Sequence, residues 1–329
     1  MITRLSLGML LKLCLLLLST MFIHACSTSP LQKLTPNDPV LTHHQGIDNG
    51  KKVLVINSNQ SIERYQVAET NYVNTLNGVN THTVNLETES EPIEYLQDVL
   101  NRHDYDVIYC IGAKALGSIG FIDPDVPVVY SAVLNWRKFQ QREHYYGIAS
   151  ELSPQVQLTW LKYFFLEMKN IGVFYSEENQ ALIDDANHAA NNLSLNLKAI
   201  KLSRDDQLML SAETLLSEVD VLWLISDSSA LSSIENITAL FKMADKLKVP
   251  VITYNPVFMD MGAMMSLVAD LPTTARQAAI LTTKLIEKSE LKDSIQFPAG
   301  SRIILNNGRV NEYKIKLNPG YLDSVDELR

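Results

Sequence analysis

Cysteine is scarce, with three residues in 329, too few for a disulfide framework. Cys14 and Cys26 stand near the amino terminus, which leaves Cys110, in the apolar run VIYCI, as a small core residue. Positive charge is short as well. The chain has 28 Lys and Arg against 37 Asp and Glu, for a formal net charge of −9, and such an acidic surface argues against nucleic acid as a partner. The signatures of common chemistries are missing: there is no HExxH and no GxSxG, and no acid pair carries an arranged base. The stretch GAKALGSIG is glycine-rich but fits neither GxGxxG nor GxxxxGK[ST], because Lys114 precedes the second glycine. His43-His44 lacks acidic or cysteine neighbours at ligand spacing. The expectation is therefore a protein with no metal, no cofactor and no catalytic residues.

Apolar residues make up 46% of the chain and charged residues 20%, which describes a folded protein of about two domains. Residues 1–25 read as a secretory signal, in which Arg4 and Lys12 precede the end of the apolar run LCLLLLSTMFI and small Ala25 follows it. The run IHAC resembles a bacterial lipobox, with Ile23 three before the cysteine and an unusual His24 in the middle. Cleavage there leaves Cys26 as a lipidated, palmitate-bearing N-terminus. An ordinary secretory cleavage after Ala25 and an uncleaved anchor are the alternatives. The lipoprotein is preferred because the apolar run is short for crossing a bilayer and the cysteine occupies the small-residue site. Loss of Arg4 and Lys12 takes the formal charge from −9 to −11. Ser27, in place of an acid, suggests outer-membrane sorting in a cell with two membranes. Residues 26–50 hold three prolines and no periodicity, and read as a flexible tether.

From Lys51 onward, short apolar runs alternate with helical patterns, the signature of α/β architecture. KVLVIN, HTVNL, DVIYCI, VPVVYSAV, NIGVFY, LKAIKL, DVLWLI and VPVITY read as strands, and Tyr65, Ala68, Tyr72 and Leu76 fall at helical spacing. Strands of continuous apolar residues indicate parallel sheets covered on both faces. An internal duplication is the most informative feature. With one gap, YDVIYCIGAKALGSI aligns with VDVLWLISDSSALSSI; each is followed by a Val-Pro-Val strand, and KKVLVINSNQ echoes KNIGVFYSEENQ. Two similar lobes joined around YYGIASELSP would set the carboxyl ends of their strands across one cleft.

The turns at those ends supply the candidate ligand-binding residues. In the first lobe they are Asn57, Ser58, Asn59, Gly112, Ala113, Lys114 and Ser131; in the second, Tyr175, Ser176, Asn179, Asp227, Ser228 and Asn255. Turn chemistry alone accounts for the Asn and Ser residues. Asp227 stands where a strand gives way to a helix, and as an N-cap it would contribute about 1 kcal/mol. Lys114 occupies the matching turn, where a cation opposes the helix dipole unless it reaches solvent or an anion. Together the two suit a zwitterion, its carboxylate toward Gly112–Lys114 and its ammonium toward Asp227. Trp160 lies on the helical stripe Val156, Trp160, Phe164 and reads as core. Trp136, Tyr145 and Tyr146 remain candidates for stacking, and the methionines of FMDMGAMM read as core fillers.

In their order and spacing, YDVIYCIGAKAL, VPVVYSAVLN, YGIASELSPQVQLTWLKYFFLEMKNIGVFYSEENQ, VDVLWLISDSSALSSIENI and RIILNNGRVNEYKIKLNP resemble the ABC-transporter substrate-binding family that includes tryptophan- and tyrosine-binding lipoproteins. The likeness covers nearly all of residues 51–318. It implies a type I periplasmic binding protein fold, in which two Rossmann-like parallel-sheet lobes are joined by a hinge around a cleft. Three crossings between the lobes follow: lobe one would hold residues 51–147 and 265–290, lobe two residues 148–264 and 291–318, with 319–329 as a tail. The helix from Pro272, with Ala275, Ala278, Ala279, Leu285 and Ile286 on one face, is credible on its own spacing.

The resemblance further implies a monomeric, extracytoplasmic protein without enzymatic activity. It would close on a small, amino-acid-like solute and deliver it to the permease and ATPase subunits of an importer. It places the acid at Asp227 against a bound amino group and matches Asn179 to the family's asparagine. ADLPTTA, where the family usually has a tyrosine and a glycine, and the absence of a small hydroxyl residue near Ala113-Lys114 are departures. With Ser27, the first of these motivates an alternative: an outer-membrane lipoprotein of the same fold that serves a sensor kinase or an envelope enzyme.

Overall fold

Runs rich in Val, Ile and Leu become strands and the amphipathic segments between them become helices. The computed structural model describes residues 40–42, 50–134, 136–139, 142–203 and 207–329. The expected signal, the lipobox with Cys26, and His43-His44 lie outside the described residues. The chain begins with β1 (Val40–Thr42), β2 (Lys51–Asn57), α1 (Glu63–Thr75), β3 (Val79–Asn85), α2 (Pro92–Arg102), β4 (Val107–Ile111) and α3 (Ala113–Ile122). β5 (Val128–Ser131), a 3-10 turn at Trp136–Phe139 and β6 (Tyr145–Ile148) follow. A second series repeats the plan with α4 (Pro154–Phe164), β7 (Asn170–Tyr175), α5 (Gln180–Asn192), β8 (Asn196–Lys201), α6 (Gln207–Ser217), β9 (Val221–Leu224), α7 (Ile234–Leu247), β10 (Val251–Thr253) and β11 (Met265–Ala269). The chain ends with α8 (Leu271–Ile286), β12 (Ile295–Gln296), β13 (Ser301–Leu305), α9 (Asn307–Glu312) and β14 (Glu327–Leu328).

The strands make two seven-stranded sheets, ordered β1-β3-β2-β4-β5-β6-β12 and β14-β13-β11-β10-β9-β7-β8. From β3 to β12 every pairing in the first sheet is parallel, and so is every pairing from β8 to β11 in the second. β1 and β13 are the antiparallel additions. In both sheets the first strand of its series is flanked by the second and the third, so the duplication read in the sequence is a duplication of topology.

Alternate residues of each strand enter different cores, as the period of a strand requires. Leu54 and Ile56 face one apolar cluster and Val53 and Val55 the other, all fully buried. In the second sheet Ile171 and Val173 pack on one side and Phe174 on the other. Covering both faces explains why these strands read as unbroken apolar runs.

The expected boundaries move where the strands are placed. A return to the first lobe at 265 is too early, because β11 pairs with β10 and β13 in the second sheet and the crossing falls at Asp270. Residues 291–318 do not belong wholly to the second lobe, since β12 pairs with β6 in the first sheet. The third crossing is Phe297–Gly300. The expected tail carries β14, hydrogen-bonded to β13, and the expected tether carries β1, where Leu41 pairs with His82. Short strands without periodicity gave no sequence signal for either addition.

α8 closes the first sheet from the far end of the chain. Asp270 caps it by accepting from the Thr273 N–H at 2.9 Å. Ala275, Ala278 and Ala279 are fully buried against the sheet, small enough to bring the helix close. On its flank Tyr72 Oη meets Thr282 Oγ1 at 2.7 Å, while the Tyr72 ring stacks on Tyr109 at 3.7 Å. Burial raises the Tyr72 phenol well above its ordinary value, so it stays a neutral hydroxyl. Tyr72→Phe leaves the buried Thr282 hydroxyl without this partner and is expected to cost about 1–2 kcal/mol in urea unfolding. Adding Thr282→Val should recover part of that loss.

Candidate functional site

The carboxyl ends of β2, β4 and β5 and of β7, β9 and β10 carry the turns singled out from the sequence, and most of those side chains are occupied with one another. Asn57, fully buried, donates through Nδ2 to Glu69 Oε2 at 2.7 Å and to the Tyr65 carbonyl at 3.3 Å, and accepts from the Asn59 N–H at 3.0 Å. Asn59 in turn accepts from the Ser61 N–H at 2.9 Å. Ser58 Oγ donates to the Ile111 carbonyl at 2.6 Å and accepts from the Ala115 N–H at 2.9 Å, joining β2 to the first turn of α3. Ser131 Oγ meets Tyr109 Oη at 2.6 Å in the buried core. Asn255 accepts from the Val257 N–H at 3.1 Å and caps a 3-10 turn.

Gly112 shows why this turn needs glycine. Its φ is +86°, and an added Cβ would stand 2.7 Å from both Ser58 Oγ and the Tyr65 ring. Ala113, the first residue of α3, is exposed. Lys114 turns to carbonyl oxygens. Its ammonium donates to the carbonyls of Leu86 and Glu89, the latter at 3.0 Å, and so ties α3 to the loop after β3. The conflict with the helix dipole is resolved by carbonyl acceptors from another loop.

Asp227 departs further from expectation. It does not cap the next helix: α7 starts at Ile234 and is capped by Ser233, whose Oγ accepts from the Asn236 N–H. The Asp227 carboxylate, 2% exposed, is filled by protein donors. Oδ2 accepts from the Ser176 N–H at 2.7 Å, Ser176 Oγ at 2.9 Å and Asn179 Nδ2 at 2.8 Å. Oδ1 accepts from the N–H groups of Ser229 and Ala230 at 3.0 Å. The acid therefore clamps the turn after β7 to the turn after β9. Asn179 also donates to the Ser226 carbonyl at 3.1 Å. Ser228, exposed, donates its N–H to Glu178 Oε1 at 3.2 Å, and Tyr175 Oη donates weakly to Gln180 at 3.4 Å.

A cavity of about 220 Å³ opens between the two sets of turns, lined by Arg137, Lys138, Glu151, Glu178, Asn179 and Ser226. Of the residues expected from the sequence, only Asn179 lines it. Arg137 and Lys138 come from the 3-10 turn after β5, and Glu151 from the crossing that leaves β6. Arg137 Nη1 lies 2.6 Å from Glu151 Oε1, and its guanidinium sits 4.3 Å from the Trp136 ring centroid. The Trp136 indole N–H donates to Glu151 Oε2 at 3.0 Å and the ring meets Phe297 edge-on, so this tryptophan is a packed support. Trp160 donates to Ser301 Oγ at 3.1 Å, and Tyr145 is buried. Burial raises the Tyr254 phenol, an effect partly offset by its hydrogen bond with Ser226.

Two signals in the sequence pointed toward the missed residues: a Trp-Arg-Lys triplet just past the fourth strand, and an acid inside the joining segment YYGIASELSP. Neither lies at a strand end. Among the described residues no group of three or more His, Cys, Asp or Glu is placed to hold a metal ion, and no helix is long and apolar enough to cross a membrane.

Comparison with known proteins agrees with this geometry. A family model described as ABC transporter substrate binding protein matches residues 74–328. No curated protein sequence matches significantly. Among solved structures, a ligand-free, open substrate binding protein with adhesive properties from Clostridium difficile has a TM-score of 0.65 at 15% identity, over 85% of this chain and 99% of that one. A conserved domain protein from Vibrio cholerae has a TM-score of 0.55 at 16% identity, over 85% and 99%. The ABC domain of Streptococcus pneumonia in complex with L-Trp has a TM-score of 0.54 at 15% identity, over 87% and 100%. At such identities the likeness is one of fold, the type I periplasmic binding protein fold. The matched segment runs from the end of α1 to β14 and takes in every residue that lines the cavity, and the chain belongs to the family of ABC transporter substrate binding proteins, which bind solutes rather than transform them.

Proposed function

We propose that the protein is an extracytoplasmic lipoprotein that captures an amino-acid-like solute in the cleft between its two lobes and hands it to the permease and ATPase subunits of an importer. One observation carries the reading of the solute: the cavity sets cationic Arg137 and Lys138 beside anionic Glu151 and Glu178. A small molecule bearing both charges matches such a lining. The complex with L-Trp formed by the Streptococcus pneumonia domain supports an amino acid as the class to test first.

Closure would pivot on the three crossings. The second and third are linked by the Asp270 N–H donating to the Gly300 carbonyl at 3.0 Å. Gln277 of α8 holds the third by donating to the Phe297 carbonyl and accepting from the Ala299 N–H, each at 3.0 Å. Short, mutually braced connections suit a hinge that turns as one piece. The anchor rests on the lipobox-like IHAC, with Cys26 as the acylated residue.

Isothermal titration of the purified protein against the twenty L-amino acids should find at least one ligand, and silence across the panel refutes the amino-acid reading. Asp227→Asn should act on stability rather than on ligand choice. The amide keeps one acceptor and turns an NH2 group toward donors that the carboxylate had satisfied, at a cost of about 2–3 kcal/mol in chemical unfolding. A folded variant that loses affinity only for solutes with an ammonium group would return Asp227 to the binding site. In the native host, Cys26→Ala should abolish incorporation of a labelled palmitate analogue; continued labelling would remove Cys26 as the acylated residue.

A further inference from the structure

A sheet edge presents unpaired backbone N–H and C=O groups that can take up another strand, and folded proteins blunt it with very short edge strands or with charge, lysine above all. The outermost strands are β1 and β12 in the first sheet and β14 and β8 in the second. β12 and β14 are two residues long and β1 is three. β8 runs for six residues as NLKAIK. Its Lys198 and Lys201, three positions apart and so on opposite faces, pair with Glu218 and Glu177. Each of these edges carries one of the two protections.

β3, directly behind β1, has neither. It is the counterpart of β8, the second strand of its series, yet its seven residues, VNTHTVN, include no Asp, Glu, Lys or Arg. On one side it pairs with β2 along its whole length; on the other it takes β1 at Thr81, His82 and Thr83 alone. Pro39 stands immediately before β1 and has no N–H with which to extend that ladder. A long uncharged strand is thus closed by a short one. With β1 drawn aside, the first sheet would end in an edge longer than β8 and without its lysines.

We propose that β1 is a removable guard on a pairing edge, and that the strand β3 takes when the guard is off is β3 of a second copy of this chain, which joins two first sheets into one. The central Thr81-His82-Thr83 reads the same in both directions. Antiparallel pairing about a two-fold axis through His82 sets Thr81 of each copy against Thr83 of the other, a favourable cross-strand pair, and opposes no Asp, Glu, Lys or Arg. The same patch serves both partners, as a two-fold interface requires. The inference concerns neither the solute nor the anchor, and stands or falls apart from the function proposed above.

Two measurements on the purified protein test it. In native-state hydrogen exchange of the wild type, the amides of residues 40–42 should exchange about 100-fold faster than those of β2, because the guard lifts without unfolding the sheet. Equal protection of the two strands overturns the proposal, even if a variant fails to fold. N–H groups alternate in direction along a strand, so either Leu41→Pro or the pair Val40→Pro with Thr42→Pro removes those that reach β3. By analytical sedimentation, at least one of these variants should dimerise about 10-fold more tightly than wild type, and adding Thr83→Lys, which sets a charge on the opened edge, should return it to wild-type behaviour. Variants that are folded by circular dichroism and associate no more than wild type overturn the proposal. So does a dimer that Thr83→Lys leaves unchanged, because its contact lies elsewhere.

Discussion

Parallel strands that stop together at one edge leave backbone amides and carbonyls beyond the last rung of the ladder, and groups buried there need partners. Much of the cleft follows from that requirement. Asp227 gathers five donors onto one carboxylate and fastens two turns together; Ser58 bridges the carbonyl that ends β4 and an amide that opens α3. Polar side chains at strand ends are thereby committed to holding the rim. The charged residues Arg137, Lys138 and Glu151 that line the cavity come from one step further on, a 3-10 turn and a crossing, where side chains have no ladder to complete.

This division separates a hydrogen-bonded frame at the rim from a charged lining inside the cavity. The frame bonds are short, most of them are buried and most are made to backbone, the kind whose loss leaves a group unsatisfied. Inside, Arg137 and Glu151 meet as an ion pair at 2.6 Å. Trp136 belongs to both parts, since it supports the guanidinium with its face, fixes the carboxylate with its N–H and leans on Phe297 of the third crossing.

The architecture was largely legible in the sequence because apolar runs and their repetition report burial directly. Both copies of the Val-Pro-Val strand fall where the alignment places them, and α8 buries the alanines its spacing selects. Additions made by backbone pairing alone, β1, β12 and β14, left no pattern. The cleft was half legible. Strand ends identified the right edge of each sheet, yet an aspartate that points at a ligand and one that gathers amides look alike in a sequence. Lys114 posed the same ambiguity, and carbonyls 25 and 28 residues earlier in the chain resolved it. Arg137 and Glu151 are brought together by the crossing, a relation no local window contains.

The path of α8 has a consequence for how the molecule is assembled. Part of the cover of the first sheet, on the face that carries Val53, Val55 and Tyr109 and is shared with α1, comes from residues beyond 270, and the edge partner of β6 comes from Ile295–Gln296. A chain that emerges from its amino terminus therefore begins its first lobe early and completes it only after nearly all of the second has been made. Each half is unfinished without the other, and the three strands of chain between them make the pair a single topological object: severing one crossing would still leave the halves joined by two.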